Sequence, residues 1–177
     1  MVRALLSVSR IDQGRVKDGP KPVDIVEMIK ETVGTARILA DKKSITLNIT
    51  VPYEKVPLIQ IDPLRLREVL DNLVVNAIKY TPISGKVEVS INKPDEKYVI
   101  NVKDTGIGIS EDEKKRLFTK FFRAEKAVET NPEGSGLGLY VVKSYVEGWG
   151  GKVQVESVEG QGSTFTIVLP MLRQVAG

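Results

Sequence analysis

Residues 68–80 read EVLDNLVVNAIKY. Apolar residues recur at Val69, Leu70, Leu73, Val74, Ala77 and Ile78, which is helical spacing. The polar residues Glu68, Asn72, Asn76 and Lys79 follow in steps of four, four and three, so they share one stripe of that helix. Asn costs a helix interior about 0.6 kcal/mol relative to Ala. Two of them a turn apart fit either a solvated helix face or a site lined by amide oxygens and one ammonium. Amide oxygens are hard, neutral ligands suited to Mg²⁺, which keeps waters and takes further oxygens from phosphates. Lys79, one turn on, stands where it can meet such a phosphate. Asp62-Pro63 supplies the N-cap and first helical residue, and the helix ends near Tyr80, before Thr81-Pro82.

Two glycine clusters lie downstream. Residues 104–109 read DTGIGI, where a strand ends. Glycines there let backbone approach a ligand, and Asp104 can accept from an exocyclic amine such as that of adenine. Residues 134–140 read GSGLGLY and run straight into a helix, whose backbone N–H groups suit a phosphate. This is neither a P-loop nor the dinucleotide fingerprint. Taken singly, either cluster fits a capped turn or a flexible hinge as well as a site. Taken with the Asn/Lys stripe and the weakly periodic, loop-like residues 124–135, they suit a nucleotide, with base, metal and phosphates each provided for.

The totals agree with a single domain, with or without an appended piece, in 177 residues of which 41% are hydrophobic. Lys and Arg number 26 against 23 Asp and Glu, a net charge of +3 without a dense basic patch, so nucleic acid is not the leading partner. Cys and His are both absent, which excludes disulfides, thiolate or imidazole metal sites and His-based acid–base catalysis. No apolar run reaches the length of a membrane span and no signal peptide is visible, so a cytosolic compartment is expected.

The other elements follow from the same patterns. Residues 1–17 are expected to be the stump of a preceding helix, with Leu5, Leu6, Val8 and Ile11 on its apolar side. Residues 18–22 read as a linker and residues 171–177 as a tail. Residues 23–41 predict an amphipathic helix with Ile25, Met28, Ile29, Val33, Ala36, Ile38 and Leu39 inside. Strands are expected at 45–51 and 56–61, hairpins at 86–104 and 152–169, a helix at 111–122 with Leu117, Phe118, Phe121 and Phe122 inward, and a helix at 136–149. The sum is an α+β fold: a two-layer α/β sandwich with a mixed sheet of about five to six strands and about three helices on one face.

In sequence order, EVLDNLVVNAIKYT, DTGIGI, FTKFFRA, GSGLGLYVVKSYVEGWGG and GQGSTFTIVLP resemble the N box, first glycine box, F box, second glycine box and terminal hairpin of sensor histidine kinases. The chain resembles their catalytic and ATP-binding domain, with the Bergerat fold shared with DNA gyrase, the mismatch-repair ATPases and the large heat-shock chaperone ATPase. The match covers about residues 22–170, in effect the whole domain expected at residues 23–170. It implies ATP and Mg²⁺ as cofactors and assigns roles. Asn76 ligates the metal, Lys79 touches phosphate and Tyr80 stacks on adenine. Asp104 binds the adenine amino group, with Gly106 and Gly108 making room. Arg123 reaches the γ-phosphate. Residues 123–135 form a lid, and Gly134, Gly136, Leu137 and Gly138 bind the nucleotide. Asn72 stands where gyrase-like enzymes carry a water-activating Glu. Glu68 fits a helix-start charge or a proton relay equally, and the Phe residues are read mostly as core.

The family's phosphoacceptor is a His on an N-terminal dimerising hairpin, and this sequence has no His. The expected function is therefore transfer of the γ-phosphate to a His on a hairpin absent from the chain. Onward transfer would go to an Asp of a response regulator. Such a chain is expected to be a monomer from a dimeric parent, with or without a membrane anchor. The alternatives are a gyrase-like ATPase, a serine kinase of the anti-sigma type and a non-catalytic nucleotide-sensing module.

Overall fold

The computed structural model describes residues 6–9, 11, 19–52 and 56–171. The central helix forms as its sequence predicts. Asp62 Oδ1 accepts from the N–H groups of Leu64 (3.0 Å) and Arg65 (3.2 Å), Pro63 takes the first helical position, and α3 runs Pro63–Tyr80. Its stripe of Leu66, Val69, Leu70, Leu73, Val74, Ala77 and Ile78 is buried.

The residues that α3 covers are the inward positions of a five-stranded sheet of order β2-β4-β5-β7-β6. These strands are β2 (Thr46–Thr50), β4 (Lys86–Asn92), β5 (Lys97–Asp104), β6 (Lys152–Val158) and β7 (Gly162–Pro170). β2 pairs with β4 in parallel and the other pairs are antiparallel. Val87, Val89, Ile91, Tyr98, Ile100, Val102, Ile167 and Leu169 are buried, while Glu88, Lys103 and Gln154 on the alternate positions are exposed. The helices α2 (Ile25–Asp41), α3 and α6 (Gly138–Gly148) lie side by side on the buried face. This is the expected two-layer sandwich.

Several local expectations are corrected. The strand expected at 56–61 is only β3 (Ile59–Ile61), outside the main sheet. Its partner is β1 (Lys21–Val23), drawn from the stretch read as a linker. The helix expected at 111–122 stops as α4 (Glu111–Lys114). Beyond it the backbone bonds step by three, Arg116 to Glu113, Leu117 to Lys114 and Thr119 to Arg116, a tighter winding that rotates side chains off the α-helical stripe. Leu117 stays buried, but Phe121 has φ +63° and is 65% exposed. Residues 124–135, expected to lack regular structure, contain α5 (Glu125–Thr130). Ile38 and Leu39, expected on the inner side of α2, are exposed.

A preceding helix, α1, is described at residues 6–9 and 11. Val8 is buried and Ile11 half-buried against the core; Leu5, residues 12–17 and the tail beyond Met171 lie outside the described residues. Among the described residues, no helix is long and apolar enough to cross a membrane.

Candidate functional site

The C-terminal half of α3, the end of β5, the segment after α4 and the start of α6 converge on one cleft. Counted out to its mouth, open solvent included, it encloses ≈ 1000 Å³. Asn72, Asn76, Lys79 and Tyr80 line it from α3, and Asp104 and Gly108 from the first glycine cluster. Arg123, Gly134, Gly136 and Gly138 line it from the other side. Two distant stretches of sequence thus face one another across a single space.

The α3 stripe is not a solvated face. The Asn72 side-chain amide donates to the Glu68 carbonyl (2.8 Å). Its Oδ1 packs so closely on Gly138 that a Cβ there would come within 2.7 Å of it. A side chain at 138 would push the Asn72 amide aside, so glycine there lets α6 start against it. The Lys79 ammonium lies 5.0 Å from the centroid of the Tyr80 ring, so cation and aromatic face share one end of the cleft.

Asp104 closes β5 and is 7% exposed. Its Oδ1 accepts from the Gly106 N–H at 2.8 Å. Burial pushes its carboxyl up from 3.8 to about 6, against the lowering effect of N–H bonds from Gly106 and Ser163. A buried acceptor facing a cleft is suited to an amino group of a flat base. Gly106 itself does not line the cleft. It tucks between Asp104 and the Tyr80 carbonyl, where a Cβ would meet both at 2.6 Å.

Arg123 lines the cleft, but its guanidinium is engaged elsewhere. It donates to the carbonyls of Pro132 (2.8 Å), Ala127 (3.1 Å) and Asn131. Ala127 lies in the last turn of α5 and Asn131 is its C-cap, so Arg123 clasps the end of that helix. The start of α5 is held too. Glu113 Oε1 accepts from the Glu125 N–H (2.8 Å), and its other oxygen from the Ser110 hydroxyl (2.7 Å). Those bonds hold the Glu113 carboxyl below the usual carboxylate range. Arg123→Ala is expected to raise amide exchange across residues 128–131 about tenfold, the worth of one charge-assisted bond. Unchanged exchange there would show that the clasp carries no weight.

Leu137 is fully buried in the core and does not line the cleft, so its side chain is packing rather than a ligand contact. Glu68 faces α1, where it accepts from the Ser7 hydroxyl at 2.6 Å. Phe118 packs edge-on against Phe165, and Phe122 lines the cleft under the Arg116 guanidinium. Ser163 and Phe165 on β7 also line it. Sequence reasoning selected neither, although both sit in the GQGSTF hairpin. Among the described residues no group of three carboxylate, His or Cys side chains could hold a metal. From α3 the cleft is offered the amide side chains of Asn72 and Asn76, and amide oxygens suit an ion that takes most of its oxygens from phosphates and water.

Known proteins resemble this chain in sequence and fold. Residues 61–173 match the family model described as histidine kinase-, DNA gyrase B- and HSP90-like ATPase. The circadian input-output histidine kinase CikA of Synechococcus elongatus is 34% identical over 96% of this chain and 23% of its own length. The sensor histidine kinase WalK of Bacillus subtilis is 41% identical over 63% of this chain and 19% of its own. The chain thus spans less than a quarter of either protein. Among solved structures, full-length ShkA in complex with AMPPNP superposes with a TM-score of 0.82 at 29% identity, covering 96% of this chain and 35% of that one. The catalytic domain of histidine kinase ThkA gives 0.76 at 28%, covering 87% and 97%. The fold, the cleft and these likenesses together show that the chain belongs to the histidine kinase-, gyrase- and HSP90-like ATPase family, as a catalytic ATP-binding domain of the sensor histidine kinase type.

Proposed function

We propose that this domain holds Mg–ATP in the cleft and delivers the γ-phosphate to a histidine on a separate helical hairpin of the parent protein. The observation that carries it is the meeting of the Asn/Lys stripe, buried Asp104 and the glycine-led start of α6 in one cleft. Asp104 accepts from the adenine amino group, and Tyr80 covers the ring. Lys79 and the N–H groups at the start of α6 balance the phosphate charge. Asn76 would offer its amide oxygen to Mg²⁺, which would supply charge stabilisation for the phosphoryl group being transferred.

The imidazole nitrogen attacks the γ-phosphorus in line, the bond to the β–γ bridging oxygen breaks, and ADP leaves. The domain's own contribution is positioning and charge stabilisation. Asn72 bears an amide where a water-activating base would need a carboxylate, which favours transfer to protein over hydrolysis. On this reading, residues 1–17 end the second helix of the hairpin, and the phosphoryl group passes on to an Asp of a response regulator.

The test mixes the chain with Mg²⁺, γ-labelled ATP and a His-bearing hairpin from the same parent. Acid-labile, base-stable label on the hairpin is the expected result. Calorimetric ATP binding without transfer would refute the kinase reading and leave a nucleotide-sensing module. Rapid hydrolysis without transfer would indicate a gyrase-like ATPase.

A further inference from the structure

Lys43 sits in the turn between α2 and β2, half-buried, and does not line the cleft. Its ammonium donates to the carbonyls of Ile78 (3.0 Å), Lys79 (2.9 Å) and Thr81. These belong to the end of α3, where the helix has no partners of its own to offer. The remaining carbonyls are met as well. Ala77 accepts from the Thr81 N–H and hydroxyl, and Tyr80 from the N–H of Ile107 in the first glycine cluster. Lys43 is itself anchored, its N–H to Ala40 and its carbonyl to the Ser84 N–H. A full positive charge also opposes the partial negative charge of the helix end.

The turn of helix that Lys43 closes carries Lys79 and Tyr80, both in the cleft wall. Asn76 and Asn72 lie one and two turns back and are held by the helix interior. We propose that Lys43 is a positioning residue that sets Lys79 and Tyr80 for the adenine and inner phosphates without touching the nucleotide. Without it, three carbonyls turn to water, the last turn frays, and the aromatic face and the ammonium lose their common orientation. This rests on the reading of the cleft as an ATP site.

The test is calorimetric binding of Mg–ATP and Mg–ADP to the parent chain, Lys43→Met, Lys43→Arg and the core control Ile91→Val. Ile91 is buried at the end of β4 remote from Asp104, so its truncation lowers stability away from the cleft. Lys43→Met is expected to weaken ATP and ADP alike by about tenfold, since the disturbed end does not hold the γ-phosphate. Lys43→Arg, which keeps a cation with several donors, is expected to restore most of the affinity, and Ile91→Val to retain it all. Parent-like affinity in Lys43→Met, or an equal loss in Ile91→Val, would overturn the proposal. If Lys43→Met fails to fold, Lys43→Gln keeps one donor group and is expected to bind about threefold more weakly, between the two extremes. Parent-like affinity there would be equally decisive. A parent chain that binds no ATP sinks the site reading first, and the role of Lys43 with it.

Discussion

Asn76→Ala is expected to lower phosphotransfer to the hairpin by about a thousandfold, the order of effect seen when one preorganised charge-stabilising group is removed from an active site. Asn76 lines the cleft on the half-exposed side of α3, two residues before the buried Ile78. Alanine is the better helix former there by about 0.6 kcal/mol, so the variant is expected to unfold at the same urea concentration or a slightly higher one. Loss of activity with retained stability isolates the amide oxygen as the cause. Calorimetry supplies a second readout: Mg²⁺ should strengthen ATP binding to the parent and have little effect on the variant. Transfer at the parent rate, or an undiminished Mg²⁺ effect, would remove Asn76 from the metal site.

Asp104→Asn is expected to do two opposite things. Nucleotide affinity should fall by about a hundredfold, because the charged acceptor facing the adenine amino group is gone. Stability of the nucleotide-free domain should rise. Burial lifts the Asp104 carboxyl from 3.8 to about 6, so the folded chain holds a proton more tightly than the unfolded one. The stability linked to that proton is fully present below about pH 4 and is lost as pH rises through 6. At pH 7 the ionised carboxylate therefore costs the fold about 3 kcal/mol, which a neutral isostere avoids. The stability advantage of the variant should be largest at pH 7–8 and shrink as pH falls from 6 to 4, in urea titrations across that range. Parent affinity for ATP should weaken over the same interval as Asp104 is protonated. A variant less stable than the parent at pH 7, or one that binds ATP normally, would refute this account.

Much of the molecule was legible before its structure. The stripe of Asn72, Asn76 and Lys79 and the apolar face behind it belong to one helix, so their relation is fixed by a repeat of 3.6 residues. The Asp62-Pro63 start is equally local, since the cap bonds reach only two and three residues ahead. Alternation marked β4, β5, β6 and β7, because each has one face inward and one outward.

What failed was either short or dependent on distant partners. β1 and β3 have three residues each and pair only with one another, which leaves no periodic trace. The unwinding after Lys114 turned Phe121 outward, although its spacing from Leu117, Phe118 and Phe122 read as one apolar face. Arg123, expected at the γ-phosphate, lines the cleft, and its contacts with the end of α5 could not be read locally. That helix was itself hidden in a stretch with little pattern.

By itself, then, the sequence determined the longer elements α2, α3, α6 and β4 to β7, most of their buried faces, and which residue types could meet a nucleotide, because periodicity, caps and glycine positions act over a few residues. The tertiary structure alone decided that α3 and the start of α6 meet at Asn72 and Gly138. It also decided that Asp104 is buried deeply enough to shift its titration and that Lys43 closes the helix bearing Lys79 and Tyr80. Each of these depends on atoms brought together from far along the chain, where burial and the pairing of leftover donors and acceptors carry no local signature.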